Sequence, residues 1–279
     1  MSAPRLSEEQ VQRYSRHILL PEVGVDGQRR LLGSSACVVG AGGLGSAAAI
    51  YLAAAGVGRL GIADGEVVEL SNLQRQILHG TPDVGRAKTA SAEETLSRLN
   101  PDCAVEVFPE RLTAASIRQV LRGWDVVLDC SDNFPTRFLV ADGCWFERRP
   151  LVSAAVLRFD GQLMSVLPGH DSPCYRCFVP EPPPADLVPT PQQAGILGAV
   201  AGVMGTLQAV EALKVLLGLG QNMAQRLLIY DALDGEFITV KRVRDPECRL
   251  CGPHPTITEV IDCTVPRCPD GRCDAAGAP

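Results

Sequence analysis

The stretch Ser35–Gly45, SACVVGAGGLG, decides the fold. Its first five residues predict a short buried strand, and Gly40-Ala-Gly-Gly-Leu-Gly45 follows at once with the spacing GxGxxG. The run Ala47–Ala55 then predicts a helix of small residues. Glycines at this spacing allow a tight turn and a close approach of phosphate to the helix N-terminus. We therefore expect a Rossmann-like nucleotide-binding fold. The expected binding glycines are Gly40, Gly42, Gly43 and Gly45.

Strand and helix signals alternate over the next hundred residues. Arg59–Asp64 predicts a second strand that ends on an acid, Val84–Leu99 predicts a helix, and Trp124–Cys130 predicts another buried strand. Alternation of this kind is typical of an α/β protein with a doubly wound, mainly parallel sheet.

The pattern changes after Pro150. Asp160-Gly161 and Asp234-Gly235 each lie between two apolar runs, and Asp-Gly is a hairpin-turn signal. A helix from about Ala194 to Leu217 is expected between the two hairpins. We therefore expect antiparallel strands that extend the edge of the parallel sheet.

These signals predict a single domain over residues 1–262. Residues 1–150 would form a nucleotide-binding half and residues 151–262 an antiparallel half. The remaining residues, 263–279, have few apolar anchors, and we expect a disordered tail there.

Composition restricts the class of protein. The 279 residues carry a net charge of −6, which disfavours nucleic acid as the main partner. The N-terminal MSAPRLSEEQ lacks the apolar run of a secretory signal, so a cytoplasmic protein is expected. The most apolar stretch, Ala194–Val210, is interrupted by glycines and falls short of the ~20 residues of a membrane span. No membrane partner is expected.

Four of the eleven cysteines form two CxxC pairs, Cys174/Cys177 and Cys248/Cys251. Each pair begins 13 residues after the glycine of an Asp-Gly signal, so neighbouring hairpins would deliver both pairs to the same edge. Four thiolates close a tetrahedral shell, which suits structural zinc. The alternative is two independent redox or buried pairs.

The remaining cysteines carry no metal-binding pattern. Four lie in apolar or mixed contexts and are expected to fill the core: Cys37, Cys103, Cys130 and Cys144. Three lie in or next to the tail: Cys263, Cys268 and Cys273.

Polar residues accumulate after the second strand. Asp64 could accept hydrogen bonds from a ribose, and the segment LSNLQRQILH at residues 70–79 carries Asn72, Arg75 and Gln76. Lys88 follows in the next helix. Cations are needed where charge accumulates on a leaving group, so this set favours breakage of a triphosphate over hydride transfer to NAD. The alternative is that Arg75 and Lys88 are solvated helix-face charges.

Asp132 follows the strand Trp124–Cys130, at the strand end where ligands of such sheets bind. A carboxylate there could hold Mg²⁺ against phosphates. The alternative is a helix N-cap before Pro135, since Asp and Asn are favoured caps.

The motifs together resemble one family. GAGGLG, the strand-end Asp64, NLQRQ, VGRAK, LDCSDN, the two CxxC pairs and CGPHPTITEVID occur in the order found in the HesA/MoeB/ThiF family of ubiquitin-activating-like adenylyltransferases. The resemblance runs from about Leu6 to Asp262, and it is closest to the molybdopterin synthase adenylyltransferase branch.

The resemblance implies an activity and a substrate. Members of this family use ATP to adenylate the C-terminal Gly-Gly carboxylate of a small ubiquitin-fold sulfur carrier protein, with release of pyrophosphate. It implies that Gly43 and its neighbours contact phosphate, that Asp64 binds the ribose and that Asp132 coordinates Mg²⁺. Asn72, Arg75 and Lys88 would line the triphosphate.

The resemblance also implies a homodimer. In this family an arginine of the N-terminal helix reaches the ATP of the partner subunit, and the match to RYSRHIL gives that role to Arg16, with Arg13 as the weaker candidate.

One departure from the family pattern concerns sulfur transfer. Many members carry a cysteine in a Pro-x-Cys-x-x-Ala-Gly segment, whereas Pro191 occupies that position here. Because no cysteine lies between Cys177 and Cys248, we expect adenylation without a thioester at this loop and sulfur from a separate donor. Thr190 is a weaker nucleophile candidate, because a hydroxyl needs an activating base.

Other interpretations stay open at this stage. An NAD-dependent oxidoreductase would use the same glycine fingerprint, and a non-catalytic scaffold could bind ubiquitin-like proteins. The motifs do not distinguish carriers for molybdopterin, thiamine, tRNA thiolation or a specialised metabolite. Four glycines that share one face of the predicted helix indicate close packing or a wall for the carrier tail: Gly195, Gly198, Gly202 and Gly205.

Overall fold

The computed structural model describes residues 5–169, 172–184 and 194–263. Thr190, Pro191, Cys268 and Cys273 lie outside these ranges, as does most of the expected tail. The strands are β1 Ser35–Val39, β2 Arg59–Ala63, β3 Ala104–Phe108, β4 Val126–Asp129, β5 Leu151–Leu157, β6 Asp160–Val166, β7 Arg226–Asp231 and β8 Glu236–Lys241. The α-helices are α1 Glu8–Arg13, α2 Ser15–Ile18, α3 Gly24–Leu32, α4 Gly43–Ala55, α5 Lys88–Leu99, α6 Ala114–Leu121, α7 Phe134–Phe146 and α8 Gly198–Leu217.

All eight strands belong to one sheet in the order β3-β2-β1-β4-β5-β6-β7-β8. The first five run parallel, and β6, β7 and β8 are added antiparallel. This confirms the Rossmann-like α/β fold with an antiparallel extension. The chain order reverses between β1 and β4, where Val39 pairs with Ala63 on one side and Asp129 on the other. The loops after these three strands therefore begin at the same edge.

The sheet has an apolar core on each face. One joins the sheet to α4 and α8 and includes Leu52, Leu60 and Met204. The other lies beneath α6 and α7 and reaches the paired cysteines. Burial of large aliphatic side chains contributes about 1.5–3 kcal/mol each, so both faces stabilise the sheet that carries the loops.

The first hairpin differs from its prediction. Leu157 pairs with Asp160, so the loop residues are Arg158 and Phe159, and Arg158 takes a φ of 55°. Asp160-Gly161 instead begins β6. A Cβ at Gly161 would lie 2.5 Å from Met204 Cγ, so this glycine is needed for helix packing and not for a turn.

The second hairpin agrees with its prediction. Asp231 pairs with Glu236, which leaves Asp234-Gly235 in the loop, and Gly235 has a φ of 70°.

Helix α5 begins four residues later than predicted. The expected start was Val84, but Gly85 has a φ of 89° and Ala87 forms an isolated bridge with Val67. Lys88 is therefore the first residue of the helix, where its backbone N–H donates to Glu66 O at 3.0 Å.

Helix α8 agrees with the helix expected from about Ala194 to Leu217, with the same last residue and a start at Gly198. Its 20 residues are long and apolar enough to span a membrane by length and composition, because the apolar run continues past Val210. Half of this apolar stretch is buried against the rest of the fold, and the core helix of a globular protein can have the same length and apolar composition. The helix packs on α4, β5 and β6.

The glycines of this region serve different purposes. A Cβ at Gly198 would lie 2.3 Å from Gln74 O, and one at Gly205 would lie 2.2 Å from Leu44 O. These two contacts confirm close packing. Among the described residues, no atom lies within 4 Å of such a Cβ at Gly202, and Gly195 precedes α8 with a φ of 80°.

Candidate functional site

A cleft of about 600 Å³ opens where the chain order of the parallel sheet reverses. It brings together residues from the loops after β1, β2 and β4 and from the start of α5. The predicted site residues that line it are Gly40, Gly42, Gly43, Asp64, Asn72, Arg75, Gln76, Lys88 and Asp132. The predicted residues are therefore neighbours in space, although 92 positions separate the first from the last.

The glycine loop has the conformation its spacing predicts. Gly40 has a φ of 97°, and a Cβ there would lie 2.9 Å from Cys130 O. A Cβ at Gly45 would lie 1.8 Å from Gly40 O, which the packing does not permit. Gly45 is not among the described residues that line the cleft, so its contribution is to let α4 pack close to the loop. The N-terminus of α4 faces the cleft through Gly43 and Leu44.

Asp64 holds the loops on both sides of it. Its Oδ2 accepts from the N–H of Ala41 at 2.8 Å, and its Oδ1 accepts from the N–H of Glu66 at 2.9 Å. Burial raises the pKa of Asp64, while nearby Lys88 opposes that rise. A carboxylate has about four acceptor positions, so the two main-chain donors leave positions for ligand hydroxyls.

Asn72 and Gln76 are both buried in the segment 70–79. Asn72 Oδ1 accepts from the N–H of Glu69 at 3.1 Å, which stabilises the turn at this point. Gln76 Oε1 has no hydrogen-bond partner among the described residues, although it is buried. A buried acceptor without a donor costs about 1–3 kcal/mol, and a ligand in the cleft could supply the donor.

The two expected cations differ in burial. The Lys88 side chain is only 4% exposed, and its Nζ donates to Glu66 Oε2 at 2.7 Å. The half-buried Arg75 donates from Nη1 to Ser71 O at 3.1 Å. The alternative of a solvated helix-face charge is wrong for Lys88, and both residues line the cleft.

Asp132 is exposed in the cleft, and its neighbour caps α7. Asn133 Oδ1 accepts from the N–H of Thr136 at 3.0 Å. The capping role therefore belongs to Asn133, and the Asp132 carboxylate is not used as a cap. Carboxylate oxygens are protein ligands that Mg²⁺ prefers, so the chemistry of the Asp132 side chain is compatible with a magnesium ligand.

Several residues of the cleft were not predicted from the sequence. Buried Arg137 donates to Ser131 O at 2.6 Å and to Ala154 O at 2.9 Å, so it fixes the backbone next to Asp132. Its position in the first turn of the helix that follows LDCSDN could have indicated that it lies near Asp132. The position of Glu66, two residues after Asp64, was another. Glu110 and Arg111 follow β3, where the sequence carried no recognisable motif.

Arg16 lies outside the set of described residues that line this cleft. It is exposed on α2, between two anchored neighbours. Tyr14 is buried and its hydroxyl accepts from Asn100 Nδ2 at 2.9 Å, while His17 Nδ1 lies 3.0 Å from Gln28 Oε1. These contacts fix the backbone on either side of Arg16. Arg13 is used differently, since it donates to Leu99 O at 3.3 Å.

The two CxxC pairs converge as predicted. All four Sγ atoms lie within 4.8 Å of one another, and contacts between the pairs are 3.5 Å for Cys174–Cys248 and 3.3 Å for Cys177–Cys251. A tetrahedral zinc with Zn–S bonds of about 2.3 Å needs sulfurs about 3.8 Å apart. The cluster can therefore hold a metal ion, and two independent pairs are excluded as an arrangement.

Buried arginines surround this cluster. Arg176, inside the first CxxC pair, donates to both oxygens of Asp142 at 2.9 and 2.7 Å, which ties the cluster to α7. Arg242 donates to Cys174 O at 3.0 Å. These contacts fix the backbone that carries the first CxxC pair.

The other described cysteines are core residues, as predicted. Cys37, Cys103, Cys130 and Cys144 are buried. Burial raises the pKa of Cys37 and of Cys103 to about 12. These thiols are therefore protonated at neutral pH and poor nucleophiles. Cys263 is half-buried and accepts from Arg176 Nη2 at 3.8 Å.

Comparison with known proteins agrees with this arrangement. A sequence profile of the ThiF family matches residues 14–250, which is most of the chain. The chain belongs to the ThiF family. It is 52% identical over 258 residues to the adenylyltransferase and sulfurtransferase MOCS3 of Bos taurus, covering 92% of this chain and 56% of that protein. This ThiF-family chain thus spans little more than half the length of that relative.

Two further proteins are matched over more of their own length. The sulfur carrier protein adenylyltransferase of Thermus thermophilus is 47% identical over 262 residues, covering 92% of this chain and 97% of that protein. The crystal structure of E. coli MccB matches with a TM-score of 0.74 at 21% identity, covering 87% of this chain and 73% of that chain. At that identity the MccB structure supports the ThiF fold alone.

Proposed function

We propose that this ThiF-family chain is an ATP-dependent adenylyltransferase. Its substrate would be the C-terminal Gly-Gly carboxylate of a small ubiquitin-fold sulfur carrier protein, for sulfur transfer in cofactor biosynthesis. The observation that carries the proposal is the cleft, which combines a glycine loop, the cations Arg75 and Lys88, and an Asp132 carboxylate that does not act as a helix cap. The names of the adenylyltransferase relatives, which are about half identical to this chain, support the same activity.

The chemistry requires stabilisation of charge on a leaving group. A carboxylate oxygen of the carrier attacks the α-phosphorus of ATP, the bond from that phosphorus to the bridging oxygen breaks, and pyrophosphate leaves with the electron pair. Arg75 and Lys88 would stabilise the charge that develops on pyrophosphate. The backbone at Gly43 would contact phosphate, and Asp64 would accept from the ribose hydroxyls. The product is an acyl-adenylate, whose AMP is a good leaving group for later attack by sulfur.

Asp132 would hold magnesium in this cleft. When bound, the ion would neutralise charge on the triphosphate and on the departing pyrophosphate. Asn133 supports this role indirectly, because it provides the cap of α7 and leaves the Asp132 carboxylate available.

The paired cysteines would hold a structural zinc ion. Four sulfur ligands leave no open position for water, which is typical of zinc that stabilises a fold. The distances between the Sγ atoms support this assignment. The same half of the chain, residues 151–262, would receive the carrier protein, and sulfur would come from a separate donor.

Arg16 would act across a homodimer. Its exposed position on a helix that Tyr14 and His17 anchor supports a role at the ATP of the partner subunit.

The test is ATP–pyrophosphate exchange with candidate carriers, each compared with a version that lacks its terminal Gly-Gly. We expect exchange that requires both magnesium and the intact tail. Measurable ATP binding without exchange for any carrier would point to another acyl substrate or to a scaffold. Absence of ATP binding would favour an NAD-dependent oxidoreductase.

A further inference from the structure

The backbone of Ala41, inside the glycine loop, is held from two sides. Its N–H donates to Asp64 Oδ2 at 2.8 Å, and its carbonyl oxygen lies 3.0 Å from His79 Nε2. Ala41 is 1% exposed, so water does not replace either contact. The conformation of the loop between Gly40 and Gly42 therefore depends on two side chains from outside it.

His79 is held in one tautomer. It is buried, and its Nδ1 lies 2.9 Å from the Oγ of Ser91 on α5. A carbonyl oxygen only accepts, so Nε2 carries the proton and donates to Ala41. In the neutral ring Nδ1 then accepts from the Ser91 hydroxyl. The ring thus bridges α5 and the glycine loop.

The chain position of His79 connects the two parts of the cleft. His79 is the last residue of the segment 70–79, which contributes Asn72, Arg75 and Gln76. The segment that would line the triphosphate is therefore bonded, through its own end, to the loop that would contact phosphate. Without the Nε2 donor, the Ala41 carbonyl would be a buried acceptor without a partner, at about 1–3 kcal/mol. A shift of the loop would relieve that cost.

We propose that His79 is a positioning residue for nucleotide phosphate, which acts by holding the Ala41 carbonyl so that the glycine loop keeps its binding conformation. This inference rests on the proposed function, because it assumes that the cleft binds ATP. The competing interpretation is a core histidine that stabilises the fold without effect on the nucleotide.

Four variants separate these interpretations. The amide nitrogen of Gln reaches the position of Nε2, so His79→Gln keeps a donor to Ala41. The shorter amide of His79→Asn reaches only the position of Nδ1, and His79→Leu keeps neither. Ser91→Ala removes the hydroxyl partner of Nδ1 and leaves the donor to Ala41 in place.

The experiment measures the dissociation constant of ATP by calorimetry, with the melting temperature of each variant as a control. We expect His79→Leu and His79→Asn to weaken ATP binding by about tenfold or more, since small displacements of binding groups are costly. We expect His79→Gln and Ser91→Ala to stay within about threefold of wild type even where the melting temperature falls.

Two results would overturn the proposal. One is an unchanged dissociation constant in all three His79 variants. The other is an equal loss in His79→Gln and His79→Asn, which would mean that the donor position is irrelevant. A wild-type protein that does not bind ATP would be seen before any variant is compared, and it would contradict the proposed function itself.

Discussion

Asp132 and Asn133 are neighbours in the chain with separate tasks, which makes them a matched pair. Asp132 is exposed and caps no helix, whereas Asn133 accepts from the N–H of Thr136 at the start of α7. We expect Asp132→Ala to reduce pyrophosphate exchange by about 100-fold or more, because a charge-stabilising contact is lost. Its free energy of unfolding should stay within about 0.5 kcal/mol of wild type.

The control for this prediction is Asn133→Ala. Loss of the cap should lower the free energy of unfolding by about 1 kcal/mol, as measured by urea denaturation. Retained exchange in Asp132→Ala would remove Asp132 from the magnesium role.

His79 also gives the stability a pH dependence. Burial is the main cause that lowers the pKa of His79 below its ordinary value of 6.5. The unfolded chain therefore takes up a proton before the folded chain does, so this contribution to stability is complete above pH 6.5 and decreases as the pH falls. The slope from one such group is at most about 1.4 kcal/mol per pH unit. We expect wild type to lose stability between pH 7.5 and 5.5, and His79→Gln to lose less.

The comparison of wild type with His79→Gln isolates the histidine from its charged neighbours, Lys88, Asp83 and Asp64. Burial raises the pKa of Asp64, so that group acts in the opposite direction, and it does so in both proteins. An identical fall in stability in wild type and His79→Gln would contradict the assignment to His79.

For single residues, the sequence was sufficient to predict which side chains line the site, but not which groups they contact. The positions of Asp64 and Asp132 at strand ends, and of Lys88 in the helix that follows residues 70–79, were enough to predict that the three residues line one site. The ion pair of Lys88 with Glu66 and the cap by Asn133 could not be predicted, because each depends on side-chain geometry within 3 Å. His79 carried no motif signal, since its partners are a carbonyl and a hydroxyl.

Among the elements, α8 offers a comparison within one helix. A Cβ at Gly205 would lie 2.2 Å from Leu44 O on α4, while a Cβ at Gly202 would have no neighbour within 4 Å in the part of the chain that the structure describes. We expect Gly202→Ala to stabilise the protein by about 0.5–1 kcal/mol, because alanine restricts the unfolded chain and favours the helix. We expect Gly205→Ala to destabilise it by about 2 kcal/mol or more, because the backbone contact with α4 must open.

Denaturation curves of the two variants measure both effects. The expected effects of the same substitution have opposite signs at the two positions, which excludes a general effect of alanine. Destabilisation by Gly202→Ala would show that this side of α8 faces a surface, such as a second subunit, and would contradict the prediction.

Element boundaries show where sequence patterns are ambiguous. Asp160-Gly161 predicted a turn, but Gly161 is small because Met204 of α8 lies against it. The true loop at Arg158 has no turn signature, and a positive φ at arginine is uncommon. Glycine is required both in tight turns and where another element packs closely, so a single sequence does not show which of the two applies at a given glycine. Asp234-Gly235 had no such competing demand and was predicted correctly.

For the whole molecule, the cysteine cluster connects distant parts of the chain. It joins Cys174 to Cys248, and Arg176 ties it to Asp142 of α7. We expect removal of the metal to cost about 3 kcal/mol or more, which lowers the melting temperature by about 6–12 °C for a chain of this size. Differential scanning fluorimetry with and without a chelator measures this change.

Metal analysis supplies the control. Wild type and Cys103→Ala should contain about one zinc per chain, since Cys103 is a core residue, whereas Cys174→Ser should lose it. A metal-free protein that melts at the wild-type temperature would contradict the stabilising role.

The position of Arg16 bears on whether the active site requires a dimer. Because Arg16 is absent from the described lining of the cleft in its own chain, an active site that uses it needs a second subunit. Each ATP site would then combine Asp132 of one chain with Arg16 of the other. Arg16→Ala and Asp132→Ala homodimers are therefore both expected to be inactive in pyrophosphate exchange.

Mixed dimers of the two variants should regain activity. Random exchange makes half of the dimers mixed, and each mixed dimer has one complete site, so about a quarter of the wild-type activity is expected from the twofold symmetry. Subunit exchange must be shown independently, for example with two affinity tags. Mixed dimers that form and stay inactive would mean that Arg16 does not act in the site of its partner. Recovery would instead make dimerisation a requirement of the chemistry, since neither chain would hold all the cations that the leaving pyrophosphate needs.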